Sequence, residues 1–193
     1  MKTAIALFAA AAATLILFTQ CQTEPAKANP PSASATTQDI VARGKYIMGM
    51  AACDDCHTPK IMTPQGPVPD MNRRFMGHPA EEPFDGADKK QLIESQHVAI
   101  FSPGLTAFAG PWGVSFAANL TPDDTGTGSW TEAQFIKAIR EGKSKGMDGT
   151  RPLMPPMPWP VYATMTDEDL KAVYAFLRTV KPIHNAVPNP KPL

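Results

Sequence analysis

The chain has 193 residues, with 18 basic and 18 acidic side chains and 21 prolines. That charge balance excludes the broad basic field nucleic acid requires, so any docking surface has to be local. The length beyond an N-terminal leader supports one core of ordinary size, and no internal repeat marks a second.

Lys2 precedes an apolar run over residues 4–18 that turns polar at Thr19-Gln20. This is the pattern of an export signal, too short and too weakly flanked for a membrane span. Two cleavage points are open. Cys21, after Leu17-Phe18-Thr19-Gln20, fits a lipoprotein site whose new N-terminal cysteine is acylated, whereas Ala26-Lys27-Ala28 fits an ordinary signal-peptidase site that would discard Cys21. The lipoprotein reading is preferred, because residues 21–38 are rich in Pro, Ser, Ala and Thr and read as a tether from a lipid anchor. The organisation expected is a signal over 1–20, a tether over 21–38, a domain over 39–185 and a tail over 186–193, in a periplasmic, membrane-anchored protein.

The first helix is expected over 39–52, with Thr36 or Thr37 as cap and Ile40, Gly44, Ile47, Met48 and Ala51 on one face. It leads into Cys53-Asp54-Asp55-Cys56-His57, the attachment pattern of a c-type haem. Each thiol can add across one vinyl group to form a thioether, and the adjoining imidazole can ligate iron from one face. A thioredoxin-like dithiol would need a strand and helix pattern that is missing here, and a closed zinc site would need ligands the chain does not cluster. Asp54 and Asp55 are expected to face solvent. The segment at about 60–118 reads as a loop-rich insertion, with no strand signal in it or elsewhere. Within it, Gly66-Pro67-Val68-Pro69 is expected to offer a carbonyl to the His57 ring N–H. His78 and His97 are expected at the surface, and His184 is expected to be inert.

A second helix is expected from Thr131, where Gln134 completes a capping box, to Gly142, with Phe135, Ala138 and Ile139 inward. A third follows Thr166-Asp167-Glu168-Asp169, repeats Leu170, Val173, Tyr174 and Leu177, and ends at Lys181-Pro182. Gly44 would let the first helix cross the third closely, with Tyr174 or Phe176 filling the contact. The fold class expected is all-α.

The order of helix, Cys-x-x-Cys-His, long loops, a methionine in a Pro-rich loop and a final amphipathic helix resembles a class I cytochrome c. More narrowly, Asn119-Leu120-Thr121-Pro122-Asp123, the run Thr125-Gly126-Thr127-Gly128-Ser129-Trp130-Thr131-Glu132, and Leu153-Met154-Pro155-Pro156-Met157-Pro158-Trp159 with Tyr162 resemble the cytochrome c subunits of membrane-bound alcohol and aldehyde dehydrogenases. The likeness covers 39–58 and 119 to about 183. Those subunits commonly carry several haem domains, whereas this chain has one motif. The resemblance implies helices packed around one covalently bound haem c, with Met157 in the place of the family's ligating methionine and Met154 in that of a tyrosine.

Met157 is also the residue the loop itself favours for the sixth position, because Pro156 and Pro158 restrict the chain on either side of its thioether. Met154, a histidine or an open face are the alternatives. Trp112, Trp130, Trp159, Tyr162, Arg73 and Arg74 are candidates for the haem edge and its propionates. The function expected is a monohaem carrier of single electrons, taking them from an exported dehydrogenase and passing them to an oxidase or another cytochrome, not an enzyme. A ligand sensor or peroxidase-like enzyme is the alternative if the sixth ligand is displaceable.

Overall fold

The computed structural model describes residues 35–193; the signal, Cys21 and most of the tether lie outside the described residues. The chain opens with α1 (Thr37–Met50), capped by Thr36 in a box with Asp39. The Asp39 N–H donates to the Thr36 hydroxyl at 3.2 Å and the Thr36 N–H returns to the Asp39 carboxylate at 3.0 Å, satisfying donors that a helix start leaves unpaired. Near the other end of the chain α6 (Asp167–Leu177) starts at Thr166, with three acids in its first turn. It stops four residues short of the expected Lys181.

The two helices cross at Gly44. A Cβ there would fall inside the Ala172 carbonyl and against Phe176, so only glycine permits this approach. Phe176 fills the crossing as expected, while Tyr174 turns toward Phe135, 5.7 Å away between ring centres. Phe135 comes from the helix α4 (Glu132–Glu141), which begins with the Thr131–Gln134 capping box and ends at Gly142 in the left-handed region (φ 62°). Ile47, Met48, Phe75, Phe135, Val173, Phe176 and Leu177 form the main core. Burying each such side chain contributes about 1.5–3 kcal/mol. Ile40, expected on the inward face, is more than a third exposed.

The all-α expectation is wrong. Among the described residues six helices are accompanied by two sheets, of two and three strands. A hairpin pairs β1 (Lys60–Thr63) with β2 (Gly66–Pro69), so the stretch read as a Gly-Pro loop is a strand. Beyond the short helix α3 (Lys90–Gln96), an antiparallel meander joins β3 (Ile100–Phe101), β4 (Ala107–Gly110) and β5 (Gly113–Phe116). Its small core is Ile93, Ala109 and Val114, with Leu193 packed against it. Lys191 exchanges both backbone bonds with Val114, at 2.8 and 3.1 Å, laying the C-terminal residues along β5. These strands hold two to four residues, two of the four in β2 are proline, and β4 reads Ala-Phe-Ala-Gly. No alternating pattern long enough to signal a strand exists there; the sheets form because hairpin turns and tertiary contacts override weak local preference.

Candidate functional site

Ala52, in the left-handed region (φ 53°, ψ 32°), breaks the end of α1 and redirects the chain into the short helix α2 (Cys53–His57). Helical spacing of three puts Cys53 and Cys56 on one face of α2. Both are half-buried. Burial first, and then the neighbouring Asp54, push the Cys53 thiol up to about 12. Burial raises Cys56 as well. Before any attachment, both are therefore neutral S–H groups at neutral pH, the form that is slow to oxidise.

His57 is 8% exposed. Its Nδ1–H donates to the Ala118 carbonyl at 2.7 Å, which leaves the Nε2 lone pair free for a metal. Burial lowers the imidazole pKa and so favours this neutral, ligating form. The acceptor comes from the end of the inserted region and not from Gly66–Pro69. Nothing local in sequence pointed to a carbonyl 61 positions away.

Asp54 corrects another expectation. It is half-buried and accepts from Arg74 at 2.6 and 2.9 Å and from the Thr58 hydroxyl at 2.8 Å. Thr58 Oγ1 in turn accepts the Phe75 N–H at 3.0 Å. Asp54 thus ties α2 to the segment that delivers Phe75 to the core. Asp55 does face solvent.

Cys53, Cys56 and His57 open onto one cavity, which Met154 and Met157 also line. Its other walls are mainly apolar, from Ile47, Leu120, Phe135, Val173 and Leu177. About 1290 Å³ of space lies between them, open mouth included. A large flat apolar group, tethered through two thiols and ligated by an imidazole, fits this donor set and these walls.

The expected edge partners divide. Trp130 and Tyr162 line the cavity; the Trp130 carbonyl accepts the Tyr174 hydroxyl at 2.7 Å, and the Tyr162 hydroxyl donates to the Ala51 carbonyl at 2.7 Å. Trp112, Trp159, Arg73 and Arg74 lie off the cavity lining. Arg73 is held by Asp70 and Arg74 by Asp54, while Trp159 covers Gly142. Arg151, which sequence reading passed over, does line the cavity. The one hydrogen bond of its side chain among the described residues goes to the adjacent Pro152 carbonyl at 3.0 Å, and no carboxylate pairs with it there. Its place two residues after Gly149 in a polar loop carried no signal.

The remaining histidines stand apart from the cavity. His78 is buried, not superficial: it is 1% exposed, with Nδ1 at 2.9 Å from the Thr106 hydroxyl and Nε2 at 2.8 Å from the Glu82 carbonyl. His97 is exposed at the end of α3. His184 is exposed, 3.4 Å from the Asp123 carboxylate.

The Cytochrome c family profile matches residues 41–181, from within α1 to beyond α6. The chain belongs to the cytochrome c family. It is 31% identical over 189 residues to the fructose dehydrogenase cytochrome subunit of Gluconobacter japonicus, an alignment covering 96% of this chain and 30% of that protein. It is 43% identical over 149 residues to the gluconate 2-dehydrogenase cytochrome c subunit of Pantoea cypripedii, covering 76% and 25%. Against the cytochrome c subunit of an alcohol dehydrogenase (quinone) from Gluconacetobacter polyoxogenes the identity is 30% over 187 residues, covering 96% and 29%. The chain thus spans less than a third of the length of these relatives. Membership of the family implies covalently bound haem and electron transfer, and the relatives named are cytochrome subunits of dehydrogenases.

Proposed function

We propose that the chain is a monohaem cytochrome that carries single electrons in an exported respiratory or dehydrogenase-linked chain, with His57 and Met157 as axial ligands. The observation that carries this reading is one apolar cavity with Cys53, Cys56 and His57 on one side and the Pro-flanked Met157 in its lining. Haem supplies a one-electron iron couple, and a thioether ligand favours its ferrous state, giving a relatively high potential.

The chain's own residues do the rest. Cys53 and Cys56 fix the group by two bonds, and the Ala118 carbonyl holds the His57 ring in its ligating tautomer. The apolar walls would limit water around the bound group, and ligands retained in both oxidation states would leave little to reorganise when an electron moves. Arg151, a cation with no carboxylate partner among the described residues, is placed to receive the propionates. A single attachment motif supports one haem per chain.

The apolar run over 4–18 supports export, and Cys21 the lipid anchor, with residues 21–38 as tether and 39–185 as the haem domain. The relatives named above are cytochrome subunits of dehydrogenases, which supports a dehydrogenase as donor; the acceptor in this reading is an oxidase or another cytochrome. The test is haem content and carbon monoxide binding in the purified protein. One haem per chain and slow binding in the wild type, made fast by Met157→Ala, is the expected result. Rapid binding to the unaltered protein would replace the carrier by a ligand-binding sensor or peroxidase-like enzyme.

A further inference from the structure

The stretch Met154-Pro155-Pro156-Met157-Pro158 has few means of holding itself in place. Its three prolines carry no N–H, so its backbone donors are those of Met154 and Met157 alone. The Met157 N–H is spent on a local turn to the Met154 carbonyl, at 3.2 Å. The Met154 N–H makes no hydrogen bond among the described residues, so the hold on the loop from outside comes through its carbonyls. Among the described residues one group from beyond residue 162 or before residue 154 does so: the Ser115 hydroxyl donates to the Pro155 carbonyl at 2.6 Å.

Ser115 sits on β5, is 4% exposed and lines the cavity. Its oxygen accepts the Trp112 Nε1–H at 3.1 Å, which leaves its own hydrogen for Pro155. Trp112 is one of the two residues joining β4 to β5 and packs its ring over Gly110, where a Cβ would collide with it. The donor is thus aimed by the turn of the inserted sheet. From Pro155 the chain reaches Met157 through Pro156, whose ring fixes φ, so a hold on the Pro155 carbonyl is transmitted to the thioether.

We propose that Ser115, oriented by Trp112, is a positioning residue that clamps the methionine loop over the cavity, which makes the inserted sheet part of the haem site. This inference rests on ligation of iron by Met157. The experiment compares holoprotein of wild type, Ser115→Ala, Ser115→Thr and Trp112→Phe. It reads the weak far-red band of a sulfur ligand while the ferric form is titrated to high pH, and the rate of carbon monoxide binding to the ferrous form.

In Ser115→Ala the band is expected to vanish at lower pH than in wild type, and carbon monoxide to bind roughly five- to tenfold faster, the factor that one lost hydrogen bond implies. Ser115→Thr, which keeps a hydroxyl, restores both readouts, and Trp112→Phe lies between. If Ser115→Ala lowers the unfolding midpoint while band and rate stay as in wild type, the hydroxyl is merely structural and the inference is overturned. A wild type without the far-red band overturns the ligation reading, and the clamp with it.

Discussion

Where α1 crosses α6 the contact is apolar and close, with Gly44 against Ala172 and Phe176 and few polar ties. Across the inserted region from β1 to β5 the ties are polar and reach far along the chain. Asn185 donates to the Met76 and His78 carbonyls at 2.7 and 2.9 Å and accepts the Ala80 N–H at 2.9 Å. His78 bonds Thr106 and Glu82, and Ser115 bonds Pro155. The helical frame is held mainly by its hydrophobic faces; the insertion adds to its small apolar core a set of buried polar side chains that find partners, as they must where water is absent. Phe75 joins the two, standing in the insertion by sequence but in the helical core by packing.

This contrast can be broken at its joint first. Phe75 is fully buried and meets Phe176 edge to face at 6.2 Å, so Phe75→Ala should cost about 3–5 kcal/mol in denaturant titration. Next, Gly44→Val should destabilise by about 2–3 kcal/mol through overpacking at the crossing. Amide exchange would then rise in α1 and α6 while the amides of β4 and β5 stay protected. Asn185→Ala should show the converse, costing about 2 kcal/mol and releasing amides around Met76 and His78 while α1 stays protected. Equal loss of protection in both regions for either variant would show that they do not differ as described.

The smallest effect concerns pH. Burial lowers the His78 pKa below its ordinary 6.5, so the unfolded chain binds the proton more readily than the fold does. Stability from this group is therefore complete above about pH 6.5 and declines as pH falls below it toward the folded value. His78→Gln should weaken the stability difference between pH 7 and pH 5, and an unchanged difference would place the pH sensitivity elsewhere.

Much of the helical frame was legible because its signals are local. Thr36, Thr131 and Thr166 cap their helices as expected, and the attachment motif opens onto the cavity formed there. The end of α6 was overestimated, since no glycine or proline stands at Leu177 to mark it. The strands escaped notice because they are short, at two to four residues, and are broken by proline in β2 and by glycine and alanine in β4. His78 escaped because its burial depends on a carbonyl and a hydroxyl that no periodicity announces. For the same reason the Ala118 acceptor, Arg151 and Ser115 could not be read in advance: each acts through a residue or cavity that only the folded chain brings near.

The central claim is that Met157 completes the iron's coordination, and the optical spectrum of the ferric holoprotein tests it most directly. The wild type and Met154→Ala should both show the weak far-red band of a sulfur ligand, and Met157→Ala should lose it. A band absent from the wild type, or one that survives Met157→Ala and disappears in Met154→Ala, would contradict the account.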